Sequence, residues 1–189
     1  MNAELLSLTE IAPQAWKNGA GLTRELAASP AAGAFDWRIS VAEITRDAPF
    51  SAFPGIDRCI MLLRGAGMQL RAGASAWQQR LDTPLQAFCF SGDDVVDSSL
   101  IDGDCSDLNV MVRRGCWRSV VSVVRAATAI SSADAGLLLC CDGAWDVAGT
   151  QLVAMQALLW RSAMPALRVE PLHEGASLVV VRLCQDGAR

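Results

Sequence analysis

The chain has 189 residues, of which 52% are hydrophobic and 19% are charged, and its mean hydropathy is +0.28. This composition excludes a disordered protein, because it supplies enough apolar surface for a substantial core. Lysine and arginine total 16 against 20 acidic residues, which gives a net charge of −4. The chain therefore lacks the basic surface that a phosphate backbone requires, and we expect no nucleic-acid partner.

The sequence shows no cationic leader followed by an apolar stretch, and no apolar run is long enough to cross a membrane. We therefore expect a cytoplasmic protein with no membrane partner. Seven cysteines without C-x-x-C spacing, several of them inside apolar runs, are typical of a reduced chain that uses cysteine as a small core residue. A single histidine, His173, excludes a metal centre built from several imidazoles of one chain.

The sequence predicts mostly short β-strands between residues 35 and 184. Residues 35–41 alternate between apolar and polar side chains, which is the period of a strand with one apolar face. Arg38 and Ser40 therefore share the other face. Residues 59–63 and 68–71 flank a glycine-rich turn, and this pattern predicts a hairpin.

The rest of the chain continues this series. Further strands are predicted over residues 85–90, 107–113, 117–125, 136–141, 152–160, 167–169 and 177–184. A helix is expected only as a short segment around residues 128–135. Many short strands with glycine turns and without βαβ alternation indicate an all-β sandwich or barrel.

A faint internal repeat predicts two related β units, residues 1–125 and residues 126–189, in one compact body. The matching segments are 61–67 with 138–144, 87–90 with 157–160, and 108–111 with 178–181. In this comparison Asn109 corresponds to Val179. A polar pocket is therefore expected in the first unit only.

Residues 16–26 form the densest polar segment. Its glycines allow tight turns and close approach to a ligand, while Lys17, Asn18, Thr23 and Arg24 offer groups suited to carboxylate or carbonyl oxygens. Lys17 is the single lysine beside 15 arginines, which suggests that this position requires an ammonium group. A surface turn with solvated charges would explain the same residues.

Residues 47–58 form a second segment, in which two prolines and a glycine fix a loop. Phe50 and Phe53 could line a pocket, with Ser51 and Arg58 as polar anchors. Alternatively, the two aromatic side chains plug the interior of the barrel as core residues.

Residues 107–113 form a third segment, in which Asn109 shares a strand face with Met111. This face lies either inside a partly polar barrel or in water. His173 lies in a turn, and we expect it to be exposed rather than catalytic. The aspartates of residues 93–107 lack the spacing of a calcium loop, and we expect them on a solvated edge.

These segments resemble, in order, the motifs of the HutD/Ves family, over residues 16–25, 35–42, 49–58 and 107–115. The resemblance implies an all-β, cupin-like double-stranded β-helix (jelly roll), in this family with two units in one chain (a bicupin). Through gene context it links the chain to histidine utilisation or to a stress response, without an established biochemical activity. The polar positions that match the motifs are Lys17, Asn18, Thr23, Arg24, Arg38, Ser40, Ser51, Arg58 and Asn109.

Cupins typically hold a metal through a histidine cluster, which this chain cannot build, so we expect neither a metal nor a cofactor. One hypothesis is a regulatory or accessory protein that binds a small anionic metabolite, such as urocanate or an N-acylated glutamate. The other is a cofactor-free isomerase or lyase in which a desolvated Lys17 is the base or the imine-forming amine. In the first case Lys17, Arg38, Arg58 and Asn109 should line one cavity, with cations that have no permanent carboxylate partner. The apolar content is compatible with a homodimer.

Overall fold

The computed structural model describes residues 3–31, 33–74 and 77–187, and it is all-β over these ranges. None of the described segments is a helix that could cross a membrane. The helix expected around residues 128–135 is wrong, because Thr128–Ile130 forms a strand and Ala133 makes a β-bridge with Met164. A segment this short gains more from pairing with a neighbouring strand than from an isolated helical turn.

The strands are numbered in chain order. The first eleven are β1 (Ala3–Ser7), β2 (Gln14–Ala15), β3 (Gly21–Ser29), β4 (Trp37–Ile44), β5 (Ala48–Pro49), β6 (Ile56–Arg64), β7 (Met68–Ala72), β8 (Trp77–Leu81), β9 (Ala87–Ser91), β10 (Val96–Leu100) and β11 (Cys105–Arg113). The others are β12 (Trp117–Val124), β13 (Thr128–Ile130), β14 (Ala135–Asp142), β15 (Ala144–Val147), β16 (Thr150–Val153), β17 (Gln156–Trp160), β18 (Leu167–Pro171) and β19 (Ser177–Gln185).

The strands divide into two units. The N-terminal unit comprises Ala12–Cys116, and the C-terminal unit comprises the residues from Trp117 onward together with those up to Ile11. The sequence predicted a boundary after residue 125 instead. The difference arises because β12 pairs with β19, and β1 pairs with β17, so that both join the sheet of the C-terminal unit.

Two antiparallel sheets build the N-terminal unit, in the orders β2-β3-β4-β11-β6-β9 and β5-β10-β7-β8. Buried side chains from both sheets form one core, for example Ile60 and Leu62 from β6 with Met68 and Leu70 from β7. Two such sheets packed face to face form a jelly roll, so the predicted cupin-like fold is confirmed.

The glycine-rich turn after β6 is a corner between the two sheets rather than the predicted hairpin. β6 pairs with β9 and β11, whereas β7 pairs with β8 and β10. Gly65 and Gly67 have φ angles of +89° and +87°, a backbone conformation that residues with a side chain rarely adopt. These two glycines let the chain pass from one sheet to the other.

The C-terminal unit repeats this topology. Its sheets have the orders β12-β19-β14-β17, with β1 added at the edge, and β13-β18-β15-β16. The corresponding orders in the N-terminal unit are β4-β11-β6-β9 and β5-β10-β7-β8. The predicted internal repeat is therefore present as a repeat of strand order.

Each unit has a register shift in the strand pairing at the equivalent point of its larger sheet, and these two shifts allow the units to be aligned residue by residue. In the β11–β6 ladder it lies immediately before Asp107, and in the β19–β14 ladder immediately before Leu178. Asp107 therefore corresponds to Leu178, and Asn109 corresponds to Val180. The sequence comparison aligns Asn109 with Val179 instead, so it differs from the structural alignment by one residue.

Candidate functional site

A cavity of about 500 Å³ lies in the N-terminal unit. It is lined by all of the sequence-predicted polar residues except Arg24, namely Lys17, Asn18, Thr23, Arg38, Ser40, Ser51, Arg58 and Asn109. Phe50 and Phe53, which the sequence offered as pocket residues, line it as well, and the structure adds Trp16, Asp107 and Met111. The cavity thus combines cationic, amide and hydroxyl groups with apolar side chains.

Strand alternation positions the floor of this cavity. Asn109 pairs with Ser40 of β4, and Met111 pairs with Arg38 of β4 and with Arg58 of β6. Directly opposite residues of antiparallel strands present their side chains to the same face of the sheet. The predicted convergence of Arg38, Arg58 and Asn109 on one cavity is therefore present in the structure.

The loop between β2 and β3 supplies part of the rim, where Lys17 and Asn18 are exposed. Trp16 Nε1 donates a hydrogen bond of 2.7 Å to Thr23 Oγ1, which fixes the hydroxyl group inside the cavity lining. The exposure of Lys17 contradicts the desolvated amine that the isomerase or lyase hypothesis requires.

Two expectations for the same segment are wrong. Arg24 follows Thr23 on β3 and therefore faces the other side of the sheet, where it forms an ion pair with Glu43. A Cβ at Gly21 would lie 2.4 Å from the Glu43 carbonyl oxygen, so glycine is needed there for strand packing rather than for approach to a ligand.

The Arg58 guanidinium is enclosed by aromatic rings, and the residue as a whole is only 5% exposed. Its Cζ lies 5.3 Å from the ring centroid of Phe50, 5.5 Å from that of Phe53 and 4.9 Å from that of Phe90. Arg58 Nη1 donates a hydrogen bond of 3.3 Å to the Ser51 carbonyl oxygen. Burial lowers the pKa of Arg58 to about 10, so the group remains protonated at neutral pH. The two loop phenylalanines thus line the pocket around its cation.

Arg38 has a carboxylate partner, contrary to the expectation of unpaired cations. Its Nε donates a hydrogen bond of 2.7 Å to Glu25 Oε2, and both side chains are partly exposed. Exposed or partly exposed pairs of this kind contribute little to stability, but they reduce the positive charge that Arg38 presents to the cavity.

Asp107 is the functional candidate that the sequence analysis missed. It is 1% exposed and lines the cavity, and neither carboxyl oxygen accepts a hydrogen bond from any residue that the structure describes. Burial raises the pKa of Asp107 to about 7, although the nearby Arg58 charge opposes this shift. The missed signal is its spacing: Asp107 lies two residues before Asn109 and therefore on the same strand face.

The lining residues do not fit the metal ion that many cupins hold. Within the described ranges, no three histidine, cysteine or acidic side chains come together as a metal site would require. Asp107 is accompanied in the cavity by Lys17, Arg38 and Arg58, and positive side chains repel a metal cation. This set of groups suits an anion instead.

The comparisons with known proteins agree with the fold and with the motifs. The sequence model of the HutD family matches residues 8–179. Protein Ves of Citrobacter koseri is 35% identical over 168 residues, which cover 88% of this chain and 87% of that protein. HutD of Pseudomonas fluorescens SBW25 (formate condition) is 27% identical with a TM-score of 0.87, covering 98% of this chain and 100% of that chain.

A second solved structure, a conserved protein of unknown function from Pseudomonas aeruginosa PAO1, is 28% identical with a TM-score of 0.85. The match covers 97% of this chain and 100% of that chain. The family model, the relative and the two structures thus each match most of the chain and extend over both jelly-roll units. The chain therefore belongs to the HutD/Ves family of bicupin proteins.

Proposed function

We propose that this chain is a cytoplasmic binding protein for a small carboxylate, with a regulatory or accessory role in histidine utilisation or in a stress response. The observation that carries the proposal is the buried, protonated Arg58 guanidinium facing a cavity that Lys17 and Arg38 also line. The suggested cellular roles follow from the gene context associated with the family.

The charge balance of the cavity supports an anionic ligand. Glu25 offsets the charge of Arg38, and Asp107 offers at most one negative charge to Arg58. Lys17 adds a further positive charge at the rim. A ligand carboxylate would offset the cost of burying the guanidinium, whose planar set of donors matches two carboxylate oxygens.

The size and the apolar walls of the cavity favour an organic acid over an inorganic ion. A volume of about 500 Å³ lies within the ordinary range of pockets for small metabolites. Phe50, Phe53 and Met111 offer contacts for a hydrocarbon skeleton beside the cationic groups. Because Lys17 is exposed, binding explains the arrangement better than imine chemistry at this amine, and borohydride trapping should yield no adduct.

Replacing Arg58 with methionine should weaken carboxylate binding by about 2 kcal/mol, because a charge-assisted hydrogen bond is lost while an apolar stem still packs between the rings. Isothermal calorimetry with formate, glutamate, urocanate and N-acetylglutamate would measure the change. The matched control is Arg24→Met. Because Arg24 faces the other side of the sheet, this replacement should leave the affinity for the carboxylate unchanged. Absence of binding to every carboxylate in the panel would overturn the proposal.

A further inference from the structure

The floor of the cavity presents hydrogen-bond acceptors that have no donor. Asp107 Oδ1, Asp107 Oδ2 and Asn109 Oδ1 are buried without a hydrogen-bond partner among the residues that the structure describes, and so is the donor Arg58 Nε. Leaving such atoms unpaired costs free energy in a folded protein, so a group that pairs with them gains in affinity. Acceptors dominate this set, and a bare carboxylate has no hydrogen to donate to them.

The jelly roll itself does not need these polar groups. In the C-terminal unit the position of Asp107 is occupied by Leu178 and that of Asn109 by Val180, both fully buried in an apolar core. The same unit therefore shows that this strand packs well without acceptors. Asp107 and Asn109 are thus better explained by a ligand than by folding.

The position of Arg58 leads to the same conclusion. Arg58 pairs with Phe90, and the corresponding pair in the C-terminal unit is Gly136 with Trp160. A Cβ built on Gly136 would lie 2.4 Å from the Trp160 ring, so the indole fills the space that a side chain would otherwise take. In the C-terminal unit the Trp160 indole occupies this volume, whereas in the N-terminal unit the same position carries the Arg58 side chain beside the cavity.

The polar groups differ from one end of the cavity floor to the other. Asp107, Asn109 and Met111 follow one another on the same face of β11, and Arg38 and Arg58 flank Met111. Successive side chains on one face of a strand are about 7 Å apart. Along β11 the acceptors of Asp107 and Asn109 therefore come first, and Met111 with the two flanking arginines comes after them, although the Arg58 charge still reaches Asp107.

From this arrangement we infer that the natural ligand is a carboxylate that also carries an N–H group, which donates to Asp107 and Asn109 while the carboxylate binds Arg58 and Arg38. This inference rests on the proposed function and narrows its ligand class to amino, amido or N-heterocyclic acids. Simple carboxylates then occupy only the arginine end of the site and bind weakly.

Pairs of probes that differ only in the N–H group test the inference. We would compare pyrrole-2-carboxylate with furan-2-carboxylate, and 3-(pyrrol-2-yl)acrylate with 3-(2-furyl)acrylate, by calorimetry at pH 8. The N–H member of each pair should bind at least tenfold more tightly, because its analogue leaves the buried acceptors unpaired. Equal affinity within both pairs would overturn the inference while leaving the proposed carboxylate site intact.

The variant Asp107→Leu provides the second arm of the test. Leucine branches at Cγ as aspartate does and is the residue of the corresponding position in the C-terminal unit, so the variant is expected to fold. It should reduce the preference for the N–H probe to about threefold or less, while furan-2-carboxylate binds at least as well as before. The control Asp104→Asn, which removes an exposed carboxylate outside the cavity, should keep the full preference.

Two results would count against the inference in different ways. If furan-2-carboxylate loses affinity in Asp107→Leu, then Asp107 donates a proton to the carboxylate itself, and the assigned orientation is wrong. If no probe of either pair binds to the native protein, the carboxylate site is wrong and the inference falls with it.

Discussion

Replacing Asp107 with leucine is expected to raise the free energy of unfolding by roughly 2 to 4 kcal/mol above pH 7. Burial raises the pKa of this carboxyl to about 7 from 3.8, so between these values the folded protein retains a proton that the unfolded chain has lost. The native protein therefore loses stability as the pH rises from about 4 to 7, and the loss is complete above pH 7. Leucine does not titrate and avoids this loss.

Urea unfolding at pH 5, 7 and 8 would measure the effect. The advantage of the variant should grow from pH 5 to pH 8, whereas Asp104→Asn should stay within about 0.5 kcal/mol of the native protein. The ionisable groups around Asp107 are Arg58, Arg38 and Lys17 of the cavity and Cys105 of its own strand, and all of them are present in both proteins. An advantage that does not change with pH would show that Asp107 does not titrate in this range.

Replacing Gly67 with alanine is expected to lower the free energy of unfolding by 3 kcal/mol or more, on the order of the largest single-residue effects. The new Cβ would lie 1.9 Å from the Leu81 carbonyl oxygen and 2.9 Å from its carbonyl carbon. These are backbone atoms of β8, which pairs with β7 through Leu81 and Met68, so relief of the clash requires the strands to separate.

The matched control is Gly149→Ala. Gly149 has the same φ of +87°, but a Cβ there would meet nothing within 4 Å. Alanine at this position should therefore cost only about 1 kcal/mol, the conformational part of the effect. Thermal unfolding of both variants separates the two contributions, and equal losses would refute the steric explanation.

Most of the cavity could be predicted because its floor depends on strand period alone. Arg38 and Ser40 alternate with Trp37 and Ile39, and this pattern fixes which side chains share a face whichever strand lies beside them. The rim residues Lys17 and Asn18 are predicted instead from their place in a glycine-rich polar segment, which the family resemblance then matches. Their exposure depends on the loop conformation, which periodicity does not describe.

The predictions that differ from the structure have a common cause, which is the pairing of strands that are far apart in the sequence. The sequence places Asp107 in a strand but, with the other aspartates of residues 93–107, on a solvated edge, because its burial depends on pairing of β11 with β4 and β6. The glycine-rich turn at Gly65 and Gly67 predicts a hairpin, because the sequence does not show which sheet the next strand joins. The unit boundary predicted after residue 125 differs from the one in the structure for the same reason, since β12 pairs with a strand near the end of the chain.

The pairing of β1 with β17 has a consequence for synthesis on the ribosome. β1 is synthesised before the other strands, but its partner residues extend to Trp160. It can therefore pair only after the chain has been synthesised beyond that residue. The N-terminal unit is continuous in sequence over Ala12–Cys116 and is complete much earlier. We therefore expect the cavity-bearing unit to form on the nascent chain first, with closure of the β1–β17 pair as a late step in folding.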